Sequence, residues 1–143
     1  MRMISQSLLA LLPVLISMTA FAGKTVTPAD GGADYVYTED KPNFTVTSGH
    51  PEFVLKLKSN PSTGYSWFLR EYDANLISPV KHSFQQPAKN LIGAPGYELW
   101  TFRAKPGAFT VPQQTTIRMV YARPWSGSDN STQLVFRVTT QGK

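Results

Sequence analysis

Apolar residues alternate with polar ones along most of the chain, and the alternation comes in short runs. Phe53, Leu55 and Leu57 make one run, Tyr65, Trp67 and Leu69 a second, and Trp100 and Phe102 a third. Ile117, Met119 and Tyr121 make a fourth, and Leu134, Phe136 and Val138 a fifth. A period of two puts one side of an extended segment in a core and the other in water, so each run predicts a β-strand. Between the runs lie Ser48-Gly49-His50-Pro51, Asn60 to Gly64, Gly93 to Gly96, Lys105-Pro106-Gly107 and Pro124 to Asn130, all rich in turn-forming residues. The stretch from Phe84 to Ile92 has no periodicity and reads as a long connection between strands. Several short strands without a long helical pattern predict an all-β domain, either sandwich or barrel. With 11 Pro and 10 Gly gathered at the joints, a helical bundle is excluded. In a sandwich the loops collect at two ends, so turn peptides distant in sequence can meet.

The N-terminus has a different pattern. Arg2 gives a positive start, Leu8 to Ile16 an apolar core, and Ala20-Phe21-Ala22 a small-residue cleavage site, which together predict a secretory signal peptide over residues 1–22. An uncleaved anchor is the competing reading, but the run falls short of the roughly 20 apolar residues a membrane helix needs, and Pro13 interrupts it. Residues 23–34 are small, polar and glycine-bearing, and read as a flexible leader, with order beginning near Tyr35. Removing 22 of the 143 residues leaves 121, enough for one ordinary domain, placed at 35–143. The chain has no cysteine, so neither a disulfide nor a cysteine-linked lipid can hold it, and packing and sheet hydrogen bonds must. The expectation is a periplasmic or secreted protein that has no membrane attachment after signal cleavage.

Charge and candidate chemistry narrow the function by exclusion. The net charge of +5 becomes +4 once Arg2 is removed, and its basic residues are spread out, without the cluster that tracks a phosphate backbone. Nucleic acid is therefore not an expected partner. The two histidines, His50 beside Pro51 and His82 on a strand-like stretch, have no close metal-ligand spacing, so no metal or cofactor is expected. His50 reads as an exposed loop side chain and His82 as solvent-facing or hydrogen-bonded. No serine stands in a Gly-x-Ser-x-Gly setting, and the carboxylate pairs Glu39-Asp40 and Glu71 with Asp73 flank turns, as solvated charges do. Gly93-Ala94-Pro95-Gly96 matches neither a dinucleotide nor a P-loop fingerprint.

Two turn peptides remain, Asn60-Pro61-Ser62-Thr63-Gly64-Tyr65 and Arg123-Pro124-Trp125. Neither carries an ordinary catalytic group. Asn-Pro starts a turn and Thr-Gly supplies a position free to take positive φ, so the first is a stiff, shaped loop. In the second, a proline with fixed φ sits between a fork-shaped cation and the largest side chain. Both suit contact with another surface. Taken with Gly93-Ala94-Pro95-Gly96 between them, the set resembles the chagasin family of exported inhibitors of papain-like cysteine proteases. That family has three loop motifs in this order: Asn-Pro-Thr-Thr-Gly before Tyr or Phe, Gly-x-Gly-Gly, and Arg-Pro-Trp or Arg-Pro-Phe. Ser62 replaces the first Thr, Pro95 stands where Gly is usual, and the third motif is intact.

The resemblance covers most of the chain from about Tyr35 onward. It implies an immunoglobulin-like β-sandwich whose three loops cluster at one end and plug a protease cleft as a reversible, monomeric inhibitor. The first loop would lie over the catalytic cysteine, with Asn60 and Thr63 shaping the turn and Gly64 allowing close backbone approach. Trp125 would be the anchor, and Arg123 a donor to the cleft rim. Pro95 removes a backbone donor and predicts weaker or differently shaped contacts from the second loop. Beside these roles stand plainer ones. Tyr65 and Trp67 continue an alternating run and can belong to the core, Asn60 can cap its own turn through an Asx hydrogen bond, and Trp125 follows Pro124 in a loop where burial is less expected. Two other functions compete: a glycan- or peptide-binding module with Trp125, Tyr97 and Tyr65 as an aromatic platform, and a hydrolase resting only on the presence of Ser, His and Asp.

Overall fold

The computed structural model describes residues 35–87, 93–126 and 131–143. The expected signal peptide (1–22) and leader (23–34) lie outside the described residues. Among the described residues, eight strands form two four-stranded sheets. The strands are β1 (Val36–Tyr37), β2 (Asn43–Thr47), β3 (Glu52–Ser59), β4 (Ser66–Glu71), β5 (Ile77–Gln85), β6 (Gly96–Ala104), β7 (Gln113–Ala122) and β8 (Thr132–Gln141). One sheet has the order β1-β3-β6-β5 and the other β2-β8-β7-β4. β1 runs parallel to β3 and β2 parallel to β8, while the other neighbours are antiparallel. This is the immunoglobulin-like β-sandwich that the resemblance implies.

Each predicted alternation has become a strand with one face in the core. Phe53, Leu55 and Leu57 on β3, Phe102 on β6, Ile117 and Met119 on β7 and Phe136 and Val138 on β8 are buried between the sheets. Phe53 stacks on its cross-strand partner Phe102 at 5.6 Å between centroids within one sheet, and it joins the two layers by meeting Phe44 of β2 edge-on at 5.1 Å. Such pairs add about 0.5–1.5 kcal/mol each beyond the area they bury.

β5 corrects the sequence reading at one point. The strand continues through Phe84 and Gln85, so these two residues do not belong to a connection. The alternation is lost there because β5 is an edge strand with an irregularity between Pro79 and Lys81 and mostly exposed side chains. Pro79 is tolerated because an edge strand need not donate a hydrogen bond on both sides. Residues 88–92, the rest of that stretch, lie outside the described residues.

The register decides where the loops go. Ser59 at the end of β3 pairs with Gly96 at the start of β6, Gln85 at the end of β5 with Tyr97, Ser66 at the start of β4 with Ala122 at the end of β7, and Tyr121 with Thr132 at the start of β8. The β3–β4, β5–β6 and β7–β8 connections therefore leave from one end of the sandwich. Those connections hold the three turn peptides.

Candidate functional site

The first loop is built by local hydrogen bonds. Pro61–Thr63 form a single 3-10 turn in which Thr63 N–H donates to Asn60 O (3.1 Å) and Gly64 N–H to Pro61 O (2.9 Å). Thr63 Oγ1–H also donates to Asn60 O at 2.6 Å, so the threonine closes the turn with both backbone and side chain. Asn60 caps no backbone amide, so the Asx turn weighed as its plainer role does not form. Its Oδ1 instead accepts from Ser62 Oγ–H at 2.6 Å. Gly64 ends the turn at φ +79°, the left-handed region that a residue with a Cβ enters only at a cost of about 1–2 kcal/mol. Tyr121 of β7 holds the base of this loop, its hydroxyl accepting from Asn60 N–H at 2.9 Å.

The third loop leans on the first. Arg123 donates from Nε to Thr63 O at 3.0 Å, and its guanidinium lies over the Tyr65 ring at 4.6 Å from the centroid. Tyr65 in turn stacks on Tyr121 at 5.3 Å and is half-buried. Ser126 N–H donates to Arg123 O at 3.2 Å and turns the chain around Pro124 and Trp125. The Trp125 indole, 74% exposed, passes so close to Gly64 that a Cβ built there would stand 2.8 Å from Cη2 and 3.0 Å from Cζ2. Gly64 is thus required twice, for its φ and for the space beneath the indole. Trp67 is core, 5% exposed, with its indole N–H donating to Lys58 O at 2.9 Å.

The second loop is described from Gly93 onward. Gly93 has φ +82°, Ala94 is half-buried and Pro95 exposed. Pro95 lines a groove of about 400 Å³ together with Asn60, Trp67 and Tyr121, so it faces the base of the first loop. Gly96 belongs to β6 and is buried; a Cβ there would collide with the Phe84 ring and stand 2.6 Å from Gln85 O. Its role is to let β5 and β6 approach as they enter the loop.

All thirteen residues singled out from the sequence, Asn60 to Tyr65, Gly93 to Gly96 and Arg123 to Trp125, lie at one end of the sandwich. Arg123 is the one charged residue among them. The two histidines are engaged elsewhere: His50 is exposed and stacks on Tyr35 at 4.6 Å, and His82 Nε2 lies 2.9 Å from Glu98 Oε2. The aromatic platform is not assembled. Lys56 Nζ covers the Tyr97 ring at 4.4 Å and Tyr65 lies between Arg123 and Tyr121, which leaves Trp125 as the open ring of the three. Sequence reasoning passed over Tyr121 and Glu98, which touch loop stems from strand positions. Their signal was adjacency to a turn peptide, since Tyr121 precedes Arg123 by two and Glu98 follows Gly96 by two.

The chain and its fold are similar to known proteins. The chain is similar to Amoebiasin-1 of Entamoeba histolytica, with 30% identity over 107 residues that cover 73% of this chain and 97% of that protein. Its fold is similar to the crystal structure of the cysteine protease inhibitor EhICP2 from Entamoeba histolytica, with a TM-score of 0.61, 22% identity, and coverage of 74% of this chain and 94% of that one. The solution structure of amebosin is also similar, with a TM-score of 0.52, 24% identity, and coverage of 76% and 96%. The family model described as Chagasin family peptidase inhibitor I42 matches residues 46–140, and with these loops and this sandwich the chain belongs to the chagasin family of peptidase inhibitors.

Proposed function

We propose that the chain is a reversible, tight-binding inhibitor of papain-like cysteine proteases whose three loops form one edge that enters the active-site cleft. Direct contact between the first and third loops carries this reading: Arg123 is hydrogen-bonded to Thr63 O, and Trp125 lies over Gly64. Two peptides about sixty residues apart thus form one rigid unit. A unit that is already ordered loses little entropy on docking, so its contacts convert to affinity rather than to ordering.

In the complex the Pro61–Thr63 turn lies over the catalytic cysteine. A 3-10 turn closed by Thr63 is not the extended strand that a protease cleaves, so the inhibitor stays intact. Trp125 packs against one wall of the cleft, where truncating a buried aromatic anchor commonly costs ~2 kcal/mol or more. Pro95 faces the other side with one fewer backbone donor. The N-terminal pattern of Arg2, an apolar core and Ala20-Phe21-Ala22 supports export to the periplasm or medium, where the chain acts as a monomer.

Titrating active papain with the mature chain tests the reading. Inhibition should reach completion at one inhibitor per active site, reverse on dilution, and disappear in Trp125→Ala combined with Gly64→Trp. Absence of inhibition of several papain-like enzymes at micromolar concentration would overturn it.

A further inference from the structure

Glu98 is 3% exposed, one of the few charged or polar residues inside the sandwich. It stands on β6 two residues after Gly96, opposite Leu57 of β3 and Phe84 of β5. Its Oε1 accepts from Ser59 Oγ–H at 2.7 Å and from Trp67 N–H at 3.1 Å. Ser59 is the last residue of β3 before the first loop, and Trp67 is the second residue of β4 after it. A single oxygen therefore joins the entry and exit stems of that loop across the gap between the sheets. The other oxygen, Oε2, lies 2.9 Å from His82 Nε2 on β5, the strand that runs into the second loop. The His82 ring is stacked on Trp100 at 4.1 Å, which holds its nitrogen toward the carboxylate.

Packing alone does not call for a carboxyl here. Burying one is costly unless its oxygens are partnered, and removing it leaves its partners without acceptors. Trp67 N–H would then be an orphaned buried donor. The position is built as a polar junction under two loops. Resting on the protease-binding reading of those loops, we infer that Glu98 is the positioning residue of the inhibitory edge. It sets the distance between the stems of the first loop and couples that loop to the β5–β6 stem of the second. Preorganisation of this kind acts on affinity without contact with the enzyme.

Three variants and two readouts test it. Glu98→Gln keeps an oxygen for Ser59 and Trp67 and offers an amide to His82, so it should inhibit papain within threefold of wild type. Glu98→Leu fills the volume without an acceptor and should raise the inhibition constant at least tenfold, through faster dissociation, while still folded at assay temperature. Ser59→Ala removes one tie and should fall between them. Amide hydrogen exchange of the free proteins supplies the second readout. Exchange at Thr63 and Gly64 should accelerate in Glu98→Leu and Ser59→Ala, with that of Leu55, Ile117 and Phe136 unchanged. Lowered thermal stability with an unchanged inhibition constant and unchanged loop exchange would overturn the inference. Should Glu98→Leu not fold, wild-type values of both readouts for Ser59→Ala would do the same. Trp125→Ala is the control for the underlying reading. If the wild type fails to inhibit, that reading falls, and loop exchange alone judges whether Glu98 positions the turn.

Discussion

Gly64→Ala is the substitution whose consequences the geometry defines most closely. An alanine at φ +79° pays about 1 kcal/mol or somewhat more for the left-handed backbone. On the scale of a domain this size, that lowers the melting temperature by about 5 °C. The new methyl would also stand 2.8 Å from Trp125 Cη2, where carbon atoms prefer about 3.5–4.0 Å, so the indole must move by about 1 Å. Since Trp125 is 74% exposed, moving it costs the free inhibitor little. In the complex the same movement takes the anchor off its seat, at ~2 kcal/mol or about thirtyfold in the inhibition constant. Progress curves with papain, run on Gly64→Ala, Trp125→Ala and the double variant, separate the effects. If Gly64 acts through the indole, the double variant loses no more affinity than Trp125→Ala alone. Independent, multiplying losses would refute the reasoning, as would wild-type affinity in Gly64→Ala.

Other substitutions probe neighbouring parts of the edge and the core. Arg123→Lys keeps the charge but loses the Nε donor to Thr63 O and the planar face over Tyr65, so papain inhibition should weaken about tenfold, the equivalent of roughly one charge-assisted hydrogen bond; undiminished potency would mean that charge alone suffices. Pro95→Gly restores a backbone donor and φ freedom beside the first loop and should tighten inhibition a few-fold, whereas equal or lower potency would sink the explanation. At the margin of the core, partial burial pushes the Tyr37 phenol up, with Tyr35 adding to the shift. The folded chain then keeps a proton that the unfolded chain releases, so stability falls as pH rises above about 10. Tyr37→Phe should flatten that decline in urea unfolding between pH 8 and 11, and equal slopes for both proteins would count against it.

The strands with one buried face were legible because period-two alternation survives wherever one side of a strand faces water. Phe53 to Leu57 and Ile117 to Tyr121 are examples. Two of the edge strands, β1 and β5, were not. β1 has two residues, too few for a period, and β5 carries Pro79 and a register shift that break the pattern where the strand reaches Phe84. In the loops, the residues of the site were readable as motifs, since turn chemistry such as Asn-Pro and Thr-Gly is local in sequence. What ties the loops together was not readable. The Arg123 to Thr63 bond and the Glu98 junction join residues 60 and 31–39 positions apart, and their partners are set by strand register rather than by neighbouring residues. Glu98 shares the parity of Trp100 and Phe102, so the alternation already turns it inward, but its partners Ser59 and Trp67 are supplied only by the way the strands are brought together.

The crystal structure of the mature chain bound to papain tests the central claim most directly. The account predicts an uncleaved inhibitor whose Pro61–Thr63 turn covers the catalytic cysteine, with Trp125 buried against one cleft wall and the Arg123 to Thr63 bond unchanged. A complex formed through another surface, or one in which the first loop is extended and cut, would contradict it.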